Sequence, residues 1–301
     1  MKKTIILSLI ISMLSVSLFG CSYTSEQHPV SAGTSTPENK DTSNEEKDSA
    51  TNDSQKQNSE VITVEEKVLF EEEGVRATLK GVNGNDFKIL LENDSDKNVG
   101  LSSDIIIVNG ITMYGSLYLK AAAGKKVNGV LSLSSSELQI ANISTVANVK
   151  TVDAHIFNSD DYSTIKNTNF EFSTSVSEDF IQNIDDTGDI LYDQNGITVI
   201  AKNLNKDIWG NALYVLIKNN TESDIVASAD NLSVNGFTLN SFQSDTIAAG
   251  TVRFCDIEIS STGLSENEIE NIENVSFTMS FRNSDSYDTI ATTEELNVIV
   301  K

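Results

Sequence analysis

The strongest constraint on what this chain can fold into is that its second half repeats its first. Val108-Asn109-Gly110 recurs as Val234-Asn235-Gly236, and Ala122-Ala123-Gly124 recurs as Ala248-Ala249-Gly250, both at a spacing of 126 residues. Asn93 and Asn219 stand at the same spacing, each closing an apolar run before a polar turn. Asn158-Ser159-Asp160-Asp161-Tyr162-Ser163-Thr164-Ile165 matches Asn283-Ser284-Asp285-Ser286-Tyr287-Asp288-Thr289-Ile290 at a spacing of 125. The order is kept and the spacing barely drifts, which marks a duplicated folding unit. Each unit is of a size that can bury one core.

Within a unit the apolar residues alternate over short runs broken by Asn, Asp, Gly and Ser. In the second copy Ile197, Val199 and Ala201 alternate with Thr198 and Ile200, then come Leu213, Val215 and Ile217, then Leu232 and Val234, which turn at Asn235-Gly236 into Phe237 and Leu239. Asn-Gly between such runs predicts a two-residue hairpin turn with positive φ at both positions, and both copies have it. Gly81 to Gly84 reads as another hairpin loop. Short strands at this regular spacing predict an all-β fold of two β-sandwiches. Repeat 1 is expected over residues 61–172, a linker over 173–188 and repeat 2 over 189–301. Ser135 to Ile143, and its counterpart Leu264 to Ile272, break the alternation and predict one short helix or turn in each copy.

The front of the chain has a different character. Lys2 and Lys3 precede an apolar stretch, Thr4 to Phe19, of signal-peptide length and too short to span a bilayer comfortably as a helix. It ends in Leu18-Phe19-Gly20-Cys21, which resembles the lipobox of bacterial lipoproteins. Residues 1–20 are thus expected to be a lipoprotein signal peptide, with lipid attached to Cys21 as the new first residue. A diacylated cysteine is a lasting anchor, because each buried CH₂ contributes about 0.8 kcal/mol. The expected location is the cell membrane, lipid-anchored on its extracytoplasmic face. Residues 21–60 hold both prolines, Pro29 and Pro37, and almost no large apolar residue, so they are expected to form a disordered acidic tether.

The formal net charge is −23. Phosphate-backbone binding needs clustered Lys and Arg, and the few basic pairs, such as Lys125-Lys126, do not supply it, so nucleic acid is not expected as a partner. With Cys21 taken by lipid, Cys255 has no disulfide partner. Alternation puts it on the face of Ile257 and Ile259, which predicts a buried, inert thiol.

The order of an apolar run ending in Asn, then Val-Asn-Gly, then Ala-Ala-Gly, then Asn-Ser-Asp-x-Tyr resembles the tandem domains of poorly characterised lipoproteins from clostridia and their relatives. The resemblance covers residues 64 to 300. It implies two tandem immunoglobulin-like, or telokin-like, β-sandwiches on the cell surface, and it carries over no functional residue.

The sequence offers little chemistry. His28 lies in the tether, and His155 lies opposite the face of Val152, Ala154 and Ile156, so it is expected to point to solvent without a proton relay. No C-x-x-C or H-E-x-x-H is present, and Asp94 to Asp96, Asn158 to Asp161 and Asp185 to Asp189 place oxygen ligands in turns without matching the calcium-binding loop. Their Asx residues read as turn formers. Glu71-Glu72-Glu73 reads as a solvated strand end. Trp209 is expected to cap a sandwich end, and Tyr162 and Tyr287, which recur, are expected to be packing anchors. No catalytic residue, metal or cofactor is expected. The expectation is a non-enzymatic surface module held to the membrane through Cys21, binding an unknown protein or cell-envelope polymer. A spacer in an envelope complex is the alternative, and a carboxylate-dependent hydrolase the third.

Overall fold

A computed structural model describes residues 62–176, 178–206, 211–240 and 243–300. The expected signal peptide, Cys21, the tether and Trp209 lie outside the described residues.

The fold is all-β. Repeat 1 contains β1 (Lys67–Glu72), β2 (Val75–Asn83), β3 (Asp86–Asn93), β4 (Val99–Val108), β5 (Ile111–Ala121), β6 (Lys125–Leu133), a short α1 (Ser135–Ile140), β7 (Asn148–Thr151), β8 (His155–Asn158), β9 (Thr164–Asn167) and β10 (Glu171–Ser173). Repeat 2 contains β11 (Asp189–Gln194), β12 (Ile197–Lys206), β13 (Asn211–Asn219), β14 (Ile225–Val234), β15 (Phe237–Thr238), β16 (Gln243–Ile247), β17 (Thr251–Ile259), α2 (Ser261–Glu266), β18 (Asn274–Asn283), β19 (Thr289–Thr292) and β20 (Leu296–Ile299). In repeat 2 one sheet runs β11-β12-β13-β17, and the other centres on β14 and β18. In repeat 1 the long β5 pairs with both β4 and β6, so the two corresponding layers are joined along one edge. Each repeat buries its own apolar cluster, with Phe87, Leu101 and Ile156 in the first and Val215, Phe277 and Phe281 in the second.

The recurring asparagines earn their places by the same bonds in both copies. Asn93 Nδ2 donates to the carbonyls of Lys97, Ala121 and Ala122 at 2.7, 3.1 and 3.1 Å. Asn219 Nδ2 does so to Ser223, Ile247 and Ala248 at 2.9, 3.0 and 3.2 Å. Asn109 and Asn235 each clamp a distant loop, accepting two backbone N–H bonds at Oδ1 and donating at Nδ2 to Thr145 or Asn271. Both also open their hairpins with positive φ, at 52° and 51°, followed by Gly110 and Gly236 at 84° and 85°. Buried carbonyls that face no strand partner are costly unless a side chain satisfies them, and an amide can serve several at once.

Both helices form where alternation fails, each capped by a serine: Ser134 accepts from Glu137 N and Ser260 from Gly263 N. Helix α2 starts at Ser261, earlier than the Leu264 expected. Cys255 is buried beside Ile257 and Ile259, as its alternation implied. Two expectations need correction. Gly81 to Asn83 belong to β2, with a bulge at Leu79/Gly81, and of the four residues only Gly84 is in the turn. Tyr162 and Tyr287 are not anchored in a core: they are 64% and 70% exposed, each at a turn position of positive φ, 61° and 60°, although Tyr162 stacks on Phe157.

The repeats meet along β5 and β17, where Ile111 pairs with Val252 in parallel. Thr112 Oγ1 lies 2.7 Å from Thr251 Oγ1 and accepts from Ala248 N at 3.1 Å. Val252 and Phe254 of repeat 2 pack onto the core of repeat 1. The polar closure is Arg253, only 1% exposed, whose Nη2 lies 2.9 Å from Asp245 and 3.8 Å from Glu137. The segment between the repeats is strapped down as well: Lys218 pairs with Asp186 at 2.7 Å and Lys202 Nζ donates to Thr187 O at 2.5 Å.

Candidate functional site

Two places in the described residues gather unusual side chains, and the first is the outer face of β4, β5 and β8. Alternation along β5 sends Thr112, Tyr114, Ser116, Tyr118 and Lys120 outward. The near end of this row meets repeat 2, while Tyr118, 54% exposed, and Lys120 stay open. Register sets the rest. Gly100 of β4 lies between Lys120 and Phe157, and Ser102 lies between Tyr118 and His155.

Gly100 is what admits the aromatic group. A Cβ at this position would stand 2.1 Å from Phe157 Cζ, so only glycine lets the Phe157 ring lie across the strand. Tyr118 and Tyr162 flank that ring, each with its centroid 5.8 Å away and with interplanar angles of 27° and 11°. They cover Phe157, which is 3% exposed, and remain open themselves. Lys120 Nζ donates to Tyr162 OH at 3.0 Å and sits 4.6 Å from that ring's centroid and 5.4 Å from that of Tyr118. The hydrogen bond from Lys120 holds the Tyr162 phenol below its ordinary range.

His155 borders the same face. Its Nε2 lies 3.2 Å from Ser102 Oγ and its Nδ1 3.0 Å from the Asp153 carbonyl. It therefore has two polar neighbours, where the sequence suggested solvent alone. The Asp153 carboxylate is engaged elsewhere, accepting from Ser103 Oγ at 2.7 Å and from the amides of Asp104 and Ile105. Ser102 stands mid-strand with partners on both sides, a setting that does not aim free amides at a developing oxyanion.

Repeat 2 provides an internal control. The positions of Ser102, Tyr118 and His155 are held by Ser228, Ser244 and Ser280, in the same register. Those of Gly100, Lys120 and Phe157 are held by Val226, Thr246 and Arg282. The same sheet is therefore built from three serines in a row, and the aromatic set is not a requirement of the fold.

The second place is the joint between the repeats. Tyr114 OH donates to Asp245 Oδ1 at 3.0 Å, and the Arg253 guanidinium carbon lies over the Tyr114 ring. Burial, with Asp245 beside it, pushes the Tyr114 phenol up to about 12. Burial also pushes Glu137 up to about 7; Arg253 opposes this, and Asp245 and Asp256 add to it. Cys255 is raised well above its ordinary value, by burial first. Next to this joint is a cleft of about 970 Å³ lined by Glu137, Asp185, Lys202, Tyr214, Phe254 and Asp256 among others.

The acidic turns weighed as calcium ligands hold their own backbones. Asp161 Oδ1 accepts from Ser163 N and Oγ, and Asp185 Oδ1 from Thr187 N and Oγ1. Among the described residues no group of three or more His, Cys, Asp or Glu is placed to share a metal ion. Glu71 pairs with Arg76 at 2.8 Å on an open strand end. No described helix is long and apolar enough to cross a membrane.

No family model matches the chain, and no curated protein matches it. Solved structures are similar only remotely. The YadV chaperone is 10% identical, over 72% of this chain and 92% of that one, with a TM-score of 0.23. The exo-chitosanase CsxA of Amycolatopsis orientalis is 9% identical, with a TM-score of 0.24; the match covers 78% of this chain but only 26% of the enzyme. Likeness at this level says nothing of function.

Proposed function

We propose that this protein is a non-enzymatic binding module, anchored by lipid on Cys21 to the extracytoplasmic face of the cell membrane, and that the aromatic face of repeat 1 is its binding surface. The observation that supports this most is the contrast between the repeats. Exposing Tyr118 and Tyr162 around a covered Phe157 leaves apolar surface in water, which folded proteins tend to avoid unless a partner uses it. The matching sheet in repeat 2 forms with Ser228, Ser244 and Ser280 in the row instead, so the fold does not require Tyr118; Tyr162 recurs as Tyr287, and what differs there is the Phe157 ring on which Tyr162 stacks.

The test is co-sedimentation of the full chain with envelopes from its source cell. The variant Tyr118→Ser/His155→Ser installs residues that repeat 2 already accommodates, so it should fold and bind more weakly. The anchor is tested separately by mass spectrometry of the mature N-terminus. Acyl groups on Cys21 are expected, and a free Cys21 thiol would refute the anchor.

A carboxylate-dependent hydrolase is the second reading, favoured by Glu137, at about 7, on a cleft that Asp185 and Asp256 also line. A neutral carboxylic acid near pH 7 is suited to donate a proton. Hydrolysis of a glycoside panel by the wild-type chain but not by Glu137→Gln would establish it. Arg253 and Asp245 beside Glu137 argue instead that the group closes the joint.

A further inference from the structure

We propose that the aromatic face of repeat 1 binds an uncharged polysaccharide of the cell's own envelope, its sugar rings stacking on Tyr118 and Tyr162; this rests on the binding-module reading above. A pyranose has one face of C–H groups and an edge of hydroxyls, so its complement is an aromatic surface bordered by groups that both donate and accept. The face has that composition. Tyr118 and Tyr162 offer open rings, amphipathic groups suited to half-wet contacts. Around them lie the Ser102 hydroxyl and His155 ring, 3.2 Å apart, Lys120 Nζ, and the Asn98 amide, which donates to Asp160 at 3.1 Å.

Other occupants fit less well. Strand addition engages the backbone of a sheet edge, whereas Tyr118 and Tyr162 present their rings over the face of β4, where Gly100 and Ser102 are paired on both sides. An apolar peptide side chain wants a pocket, whereas Phe157 already fills the space over Gly100. A polyanion meets a chain of net charge −23, and such a charge repels it at long range. Lys120, on this face, already lies over both tyrosine rings and bonds Tyr162. Anchoring through Cys21 would hold repeat 1, the first unit after the tether, within the polymer layer next to the membrane. That selects the cell's own polysaccharide over one met in the surroundings.

The experiment uses envelope polysaccharides of the source cell, separated on an anion exchanger into neutral and anionic fractions and immobilised, together with galactomannan and dextran as foreign neutral polymers. The full chain should bind the neutral envelope fraction. Tyr118→Ser/His155→Ser should weaken that binding by roughly tenfold, as expected for loss of one stacked ring and its polar neighbour, with the circular dichroism spectrum of the folded chain retained. Tyr287→Ala should bind like the wild type. Tyrosine-dependent binding to the anionic fraction alone, to the foreign polymers alone, or to an envelope protein would overturn this proposal and leave the binding face standing. Envelope binding that survives Tyr118→Ser/His155→Ser undiminished would overturn the binding face itself.

Discussion

The guanidinium carbon of Arg253 stands 4.0 Å from the ring centroid of Tyr114, so a cation from the second repeat rests on an aromatic ring of the first. Its Nη2 also reaches Asp245, and the Tyr114 hydroxyl reaches the same carboxylate. Removing the cation would leave Asp245, nearly fully buried, as an uncompensated charge. Arg253→Met should therefore destabilise the protein by roughly 3–5 kcal/mol, the usual cost of breaking a buried pair from one side. Denaturant unfolding measures it. Replacing Arg253, Asp245 and Tyr114 together with apolar residues of similar volume should cost far less, because no charge is then stranded.

Glu137 gives the joint a pH dependence. Its folded pKa of about 7 lies above the ordinary 4.5, so the folded protein holds this proton more tightly than the unfolded chain does. Stability from this group is then greatest below about 4.5, falls as pH rises toward about 7, and levels off above that. The groups facing it are Arg253, Asp245, Asp256 and Tyr114. Glu137→Gln should flatten the fall between pH 5 and 7 and leave the variant more stable than wild type at pH 8. A steeper fall in the variant would contradict the assignment.

Gly100 and Phe157 form a size-matched pair that repeat 2 replaces with Val226 and Arg282. Gly100→Val alone should cost about 1–3 kcal/mol, as overpacking does, by forcing the Phe157 ring off the strand. Adding Phe157→Arg should recover most of that stability, because the pair then matches repeat 2. The double variant should still fail to bind envelopes. Thermal melts and co-sedimentation on the same samples separate the two effects.

Asn93 and Asn219 each satisfy three carbonyls from full burial. Each buried carbonyl left without a donor costs about 1–3 kcal/mol. Lys97 and Ala122 also accept from Ser95 Oγ and Lys125 N, and Ser223 and Ala248 from Thr221 Oγ1 and Thr251, so Asn93→Ala and Asn219→Ala should each cost about 1–3 kcal/mol in denaturant unfolding. Hydrogen exchange should rise first around Ala121 in the one and Ala248 in the other.

The parts of this fold that could be read from sequence are those fixed locally. The Asn-Gly hairpins, the alternation that buries Cys255 and the recurrence of Asn93 and Asn219 all reflect bonds made within one repeat. The joint was not legible, because it links β5 of one copy to β17 of the other, and a repeat compared with itself carries no trace of a contact between copies. One clue was present: alternation puts Arg253 on the face of Cys255 and Ile257, and an arginine on a buried face implies a buried partner. The aromatic face also left a mark, since the spacing of 126 sets Tyr118 against Ser244 and Lys120 against Thr246. Recurrence drew attention to what the copies share, while the candidate site owes Gly100, Tyr118, Lys120, His155 and Phe157 to positions where they differ. Tyr162 and Tyr287 show the same limit, since both are exposed and their recurrence does not distinguish the tyrosine that stacks on Phe157 from its counterpart.

The most direct test of the account is hydroxyl-radical footprinting of the full chain with and without envelope from its source cell. Protection at Tyr118 and Tyr162, with Tyr287 as reactive as before, is the predicted outcome. Equal protection of Tyr287, or no change at Tyr118 and Tyr162 under conditions where the chain is bound, would contradict it.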